Sequence, residues 1–320
     1  MTENRIAVAT HAMVDIPGII EQYSPKADFV VGSVETPDDL AALTAGADAL
    51  IVSLHRLTDA HIAALPPSVR IIARAGVGLD TIDVAAARAA GIRVIYQPNY
   101  ATNEVADHAA ALALAAWRRL PATDRLMRAQ GWTNVLEIGP IAPLHDSTLG
   151  VLGTGRIGRA VIERLRPFVN RVVAFDVVRD ESIAGVEWAD DVADVLEQAD
   201  LLTLHMPLID STRNIIDAAA LARLSDDAVV VNVSRGGLID ETALVEALTA
   251  GTLRAAAIDV FETEPLPADS PLHTAPNLLL TPHVAWYSTE SGVRMSQWSV
   301  LDVLEFLSSG EIEHGSHAWS

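Results

Sequence analysis

The sequence predicts an α/β protein made of two doubly wound parallel-sheet domains, and three observations carry that expectation. Short apolar runs alternate with alanine-rich helical stretches along most of the 320 residues. One apolar run, STLGVLG, ends in the glycine-rich turn Gly153-Thr154-Gly155-Arg156-Ile157-Gly158 and leads into a helical pattern. The length suits two hydrophobic cores better than one.

The first hundred residues read in order as strand RIAVAT, a helix near Gly18 to Tyr23, strand DFVVG, a helix around Pro37 to Ala45 and strand ALIVS. A helix near Ala60 to Leu65, strand IIARAG, a helix near Val84 to Ala90 and strand IRVIYQ complete this unit. Its first turn has no glycine fingerprint, so it is not expected to hold a nucleotide. A long apolar helix follows from Asn103 to Leu120, suited to a connector between domains or to a subunit contact. The irregular run GWTNVLEIGPIAPLHD separates it from six further strands: STLGVLG, RVVAF, ADLLTLH, AVVVNVS, LRAAAIDVF and NLLLTPH. A last helix, about Ser291 to Leu307, is too short for a domain and is expected to return to the first unit. These boundaries assign residues 1–99 and 286–320 to one domain and 100–285 to the other.

Composition narrows the function. Half the residues are apolar, so a large interior needs no covalent staples. The chain has no cysteine, which removes disulfides, a thiolate nucleophile and thiolate metal ligands and suits a reducing, cytoplasmic setting. The start MTENRIAVAT lacks the basic-then-apolar pattern of a signal peptide. No apolar stretch reaches the roughly 18 residues of a membrane span, so no membrane partner is expected. A formal net charge of −20 opposes binding to a phosphate backbone, so nucleic acid is not an expected partner. Lys26 is the only lysine, which excludes Schiff-base chemistry anywhere else. The histidines lack metal-ligand spacing, and no metal is expected.

The glycine turn points to a dinucleotide. Gly153 permits the tight turn, Gly155 lets the backbone approach a pyrophosphate, and Gly158 lets the helix pack close to the strand. The helix start at Arg156 and Ile157 then aims free N–H groups and the positive dipole end at the phosphates. Strand RVVAF ends in Asp176, about 20 residues past the glycines. A carboxylate there can accept both ribose hydroxyls of NAD and repel the 2′-phosphate of NADP. The second domain is therefore expected to be a Rossmann NAD-binding domain.

Ligands of open parallel sheets sit beyond the carboxyl ends of the strands. At those ends stand His205-Met206-Pro207, Val233-Ser234-Arg235-Gly236-Gly237, Asp259 with Glu262 and Glu264, and Pro282-His283. An arginine, a carboxylate and a histidine on the cofactor side can together hold a carboxylate, polarise a carbonyl and supply a proton. His55, His108 and His145 belong to no motif and are read as ordinary.

RAGVGLDTID, LGVLGTGRIGRA, DVLEQADLLTLHMPLIDSTRNIID, VVVNVSRGGLID, AIDVFETEP and TPHVAWYS together resemble the D-isomer-specific 2-hydroxyacid dehydrogenase family. The resemblance covers nearly the whole chain. It implies a flavodoxin-like substrate domain beside the Rossmann domain, an active site in the cleft, and a homodimer joined through the NAD domain. It also implies NAD-linked interconversion of a D-2-hydroxy acid and its 2-oxo acid. Arg235 would bind the substrate carboxylate and polarise the carbonyl, His283 would exchange the proton, and Glu264 would orient His283 and favour its charged form. Asp259 would contact the carboxamide end of the nicotinamide. Val77 and Gly78 would offer backbone N–H groups to the substrate, with Arg74 at the root of their loop. His205 and Pro207 would line the nucleotide, as would Val233 and Ser234, His205 being read as structural or cofactor-lining. Trp286 is similar to a tryptophan of the C-terminal-binding-protein branch, and two readings stay open: it lines the pocket or it packs between domains. Ser53 replaces the arginine of phosphoglycerate-type members, and Glu264 replaces the glutamine of formate-oxidising ones, so neither substrate is expected. Two function classes follow: an enzyme reducing a small or medium 2-oxo acid, and an NAD(H)-sensing binding protein akin to those corepressors. The short ends favour the enzyme.

Overall fold

The computed structural model describes residues 4–10 and 18–319. The chain forms two compact units, Met1–Ala101 with Tyr287–Ser320, and Thr102–Trp286. The first unit begins β1 (Arg5–Ala9), α1 (Ile19–Tyr23), β2 (Asp28–Gly32), α2 (Pro37–Leu43), β3 (Ala49–Val52), α3 (Asp59–Ala64), β4 (Ile71–Arg74), α4 (Val84–Ala89) and β5 (Arg93–Tyr96). The second opens with three helices, α5 (Thr102–Trp117), α6 (Leu120–Gln130) and α7 (Val135–Ile138). Then come β6 (Thr148–Leu152), α8 (Arg156–Leu165), β7 (Arg171–Phe175), β8 (Glu187–Trp188), α9 (Val192–Leu196) and β9 (Leu201–Leu204). α10 (Ala218–Leu221), β10 (Val229–Asn232), α11 (Glu241–Ala250), β11 (Ala255–Ile258) and β12 (Leu278–Leu280) complete it. The chain returns to the first unit as α12 (Thr289–Ser309) and β13 (Ser316–His317).

In the first unit the strand order is β13-β5-β4-β3-β1-β2, parallel except for the short antiparallel β13. Strands β3 and β4 are buried at every position, as expected where helices cover both faces, whereas edge strand β2 is partly exposed. Strand β13, only two residues long, was not expected. Its place is set by a buried carboxylate on α12: Asp302 accepts the N–H groups of Glu313, His314 and Gly315 and the Gln97 amide. Trp298 of α12 stacks on His314, ring centres 5.1 Å apart, and fixes the same segment.

The second unit has the order β12-β11-β10-β9-β6-β7-β8, all parallel. One strand more than expected is present, because two residues after the Asp176 loop, Glu187 and Trp188, pair with β7 at the edge. Leu152, Leu202, Leu204, Val230, Leu244 and Ile258 are central to its core. Each such side chain contributes on the order of 1.5–3 kcal/mol when fully buried. α5 is a core helix of this unit, burying Val105, Ala109, Leu112, Ala113 and Trp117 and packing on α8, β10 and β11. The expected single helix to Leu120 instead stops at Trp117. Arg119 turns into the left-handed region at φ 53°, and Pro121 opens the separate helix α6. Side-chain caps from Asp191, Asp217 and Asp240 start α9, α10 and α11, each accepting a backbone N–H that the helix cannot satisfy itself. Short helices and strands are thereby held in register, and the carboxyl ends of β6, β9, β10, β11 and β12 stand on one side of the sheet.

Candidate active site

The turn between β6 and α8 has the geometry of a phosphate cradle. Gly153 lies at φ +93°, and a Cβ there would meet the His205 backbone at 2.6 Å. A Cβ at Gly158 would fall 2.0 Å from the Gly153 carbonyl oxygen. Over Gly155, by contrast, an added Cβ would meet nothing within 4 Å. The protein thus packs against two of the glycines and leaves space above the third, at the amino end of a ten-residue helix. Arg156 is exposed and Ile157 half-buried at this helix start. Thr102, Gly155, Arg156, Arg159 and Glu163 line a groove beside it. Asp176, at the end of β7, accepts the Thr154 N–H at 2.6 Å and the Thr154 hydroxyl at 3.1 Å. Its carboxylate therefore faces the glycine turn. These residues fit a dinucleotide: a dipole end with open space for phosphates, and a carboxylate beside it for ribose hydroxyls.

Two arginines close in sequence to these elements carry ion pairs. Arg179 donates to the Ala189 carbonyl at 2.8 Å and to Asp190 at 2.7 Å, and Arg159 pairs with Asp180. His205, after β9, bonds through Nε2 with the Thr203 hydroxyl at 2.8 Å. Burial lowers its pKa to about 3, which favours the neutral ring. Its other nitrogen, Nδ1, is buried and has no hydrogen-bond partner. Pro207 lies in the same irregular segment. Val233 is buried, and the Ser234 hydroxyl donates to the Leu204 carbonyl at 2.7 Å, tying the end of β10 to that of β9.

Arg235 follows β10. Asn232 Nδ2 donates to its carbonyl at 2.8 Å, and its own Nη1 donates to the Ser234 carbonyl at 2.7 Å. His283, beyond β12, lies 2.6 Å through Nδ1 from Oε2 of Glu264. The remaining oxygen of Glu264 accepts the Phe261 N–H at 2.9 Å. Burial alone would raise the Glu264 pKa. The hydrogen bond and charge of His283, the Phe261 N–H and the charge of Arg235 outweigh it and hold the carboxyl below its ordinary value. A carboxylate on Nδ1 fixes the tautomer and turns Nε2 outward, where a proton can be exchanged.

Asp259 holds its own surroundings together by hydrogen bonds. It is fully buried. Oδ1 accepts the Thr281 hydroxyl at 2.5 Å and the Val284 N–H at 3.0 Å, and Oδ2 accepts the Ala285 N–H at 2.9 Å. Its carbonyl accepts the His283 N–H at 2.7 Å. Asp259 therefore fixes the loop that carries His283, a residue held at the left-handed φ of 52°. Trp286 braces the same loop by donating its indole N–H to the His283 carbonyl at 3.0 Å.

In the first unit Arg74 is the buried last residue of β4, and its Nη1 donates to the Ala75 carbonyl at 2.6 Å. Val77 and Gly78 lie half-exposed on the turn that follows. His108 is the residue that sequence reasoning passed over: Nε2 lies 3.0 Å from the Thr281 hydroxyl and 3.6 Å from Asp259. No motif could have exposed it, since the contact spans 173 positions. Among the described residues no cluster of histidine and carboxylate side chains is arranged to hold a metal, and no helix is long and apolar enough to cross a membrane.

Residues 110–285 match the model of the D-isomer specific 2-hydroxyacid dehydrogenase NAD binding domain. A D-3-phosphoglycerate dehydrogenase of Mycobacterium bovis is 40% identical over 257 residues, 79% of this chain and 48% of that protein. The chain thus spans about half the length of such relatives. A glyoxylate reductase of Korarchaeum cryptofilum is 38% identical over 83% of this chain and 81% of its own. Among solved structures, an NADPH-dependent glyoxylate/hydroxypyruvate reductase of Sinorhizobium meliloti, in complex with NADP and malonate, superposes with a TM-score of 0.86. It is 33% identical, over 98% of this chain and 97% of that one. Relatives that are dehydrogenases and reductases lend no support to the corepressor-like alternative. The chain belongs to the D-isomer specific 2-hydroxyacid dehydrogenase family and contains its NAD binding domain.

Proposed function

We propose that this protein is an NAD(H)-dependent oxidoreductase that interconverts a small or medium 2-oxo acid and its D-2-hydroxy acid. The observation that carries the reading is the Glu264–His283 hydrogen bond, within the field of Arg235. Residues Gly153 to Gly158 and the start of α8 would hold the pyrophosphate, and Asp176 the adenosine ribose. The nicotinamide, when bound, supplies or accepts the hydride. Arg235 binds the substrate carboxylate and polarises the carbonyl through charge-assisted hydrogen bonds. His283 delivers a proton from Nε2 to the carbonyl oxygen during reduction and takes it back during oxidation. Glu264 holds that ring in one tautomer.

NAD is proposed over NADP because Asp176 would face a 2′-phosphate with like charge while Arg179 and Arg159 are already paired. Ser53, buried after β3 and uncharged, supports an unphosphorylated substrate. A homodimer through this unit is also proposed. Leu120, Trp132, Val135 and Leu136, between the start of α6 and α7, are 56%, 79%, 75% and 88% exposed. A monomer rarely leaves such a face to water. The cytoplasmic setting remains a proposal from the cysteine-free composition.

Mixing the protein with NADH or NADPH and glyoxylate, hydroxypyruvate, pyruvate or 3-phosphohydroxypyruvate, while following absorbance, tests the reading. Turnover should be found with an unphosphorylated acid, with kcat/KM at least about tenfold higher for NADH, equivalent to ~1.4 kcal/mol of discrimination. No turnover with any of them contradicts the function, and equal use of the two cofactors contradicts the role of Asp176.

The Glu264 carboxyl titrates below its ordinary range when folded, so its contribution to stability is present above the unfolded pKa and fades as pH falls through the folded one. Glu264→Gln should accordingly lower Tm at neutral pH, and the gap to wild type should close in strong acid. A gap that widens on acidification would reverse the sign. Sedimentation velocity should show twice the chain mass, with Leu136→Glu moving the protein toward the single chain. A wild-type monomer at micromolar concentration would remove the dimer.

A further inference from the structure

We infer that His108 is a positioning residue for His283, acting through Thr281 and Asp259. Proton bookkeeping gives the chain a direction. The Asp259 carboxylate only accepts, so the single proton of the Thr281 hydroxyl, 2.5 Å from Oδ1, must point to it. The hydroxyl can then only accept from His108 Nε2, 3.0 Å away, which places a proton on that nitrogen. Beyond Asp259 the same carboxylate receives the N–H groups of Val284 and Ala285, and its main-chain carbonyl receives that of His283. The relay therefore runs from α5 to the backbone on both sides of the His283 Cα.

Two further facts make this more than a satisfied surface histidine. Asp259 is fully buried, and Nε2 of His108 lies 3.6 Å from its Oδ1. The His283 backbone sits at φ 52°, where a non-glycine residue stays only if its surroundings over-determine it. α5 begins at the first residue of its unit, and the 281–286 loop ends at the last. His108 thus ties the first helix of the unit to its final loop, and a slackened tie would let His283 wander from the position Glu264 sets.

The kinetic part rests on the proposed reductase function, so the decisive readout is independent of turnover. In the protein without cofactor, amide hydrogen exchange at Val284 and Ala285 should speed about tenfold in His108→Ala. It should stay near wild type in His108→Gln, whose side-chain N–H can replace Nε2–H. Thr281→Val should produce the same acceleration, and adding His108→Ala to it should change nothing further. With NADH and the best 2-oxo acid, kcat should fall about tenfold in His108→Ala while the KM for NADH holds, and the glutamine variant should recover it. Unchanged exchange in His108→Ala, or additive effects of His108→Ala and Thr281→Val, would overturn the relay. If no 2-oxo acid is turned over by wild type, the functional reading fails on its own and the exchange data still decide the role of His108.

Discussion

The buried carboxylate of Asp259 is the constraint on which the candidate active site depends. A charge with no exposed surface must be saturated by donors, and leaving one short costs on the order of 1–3 kcal/mol for each unmade bond. Here the donors are the Thr281 hydroxyl and the N–H groups of Val284 and Ala285. Satisfying the charge and shaping the loop are consequently one event. The strain of His283 at positive φ, on the order of 1–3 kcal/mol, is offset by bonds that exist only in that shape. Glu264 then has a ring to act on whose backbone is already fixed, and a single hydrogen bond suffices to set its tautomer.

The cofactor side is arranged by the same economy of charge. Asp176 meets the Thr154 N–H and hydroxyl, and the nearest arginines are engaged by Asp190 and Asp180. A negative group is thus kept beside the dipole end of α8, where it opposes a further phosphate. His205 packs against the glycine turn, and burial disfavours its charged form.

Parallel strands buried on both faces write themselves as continuous apolar runs, which is why eleven of the strands could be read directly, whereas the pairing of Glu264 with His283 was expected from the family resemblance. Gly153 and Gly158 were legible because no other residue fits where they stand. Other features were illegible for physical reasons. β8 is two residues at an edge, with no pattern to repeat, and β13 exists because Asp302 gathers three successive N–H groups that composition does not reveal. The break between α5 and α6 turns on one left-handed residue, Arg119. The bonds of Asp259 to Thr281, Val284 and Ala285 were illegible, since sequence shows that a carboxylate is present and not whether it faces solvent or backbone. His108 was passed over because its partners lie far along the chain.

Opposed pH responses of the two reaction directions test most directly whether His283 carries the proton. In single turnover with cofactor bound, reduction needs the charged ring and should slow as pH rises, while oxidation needs the neutral ring and should speed up over the same interval. His283→Ala should cut the reductive step by ~10²–10⁴-fold and flatten both profiles. Profiles that move in the same direction, or that persist unchanged in His283→Ala, would contradict proton transfer by His283.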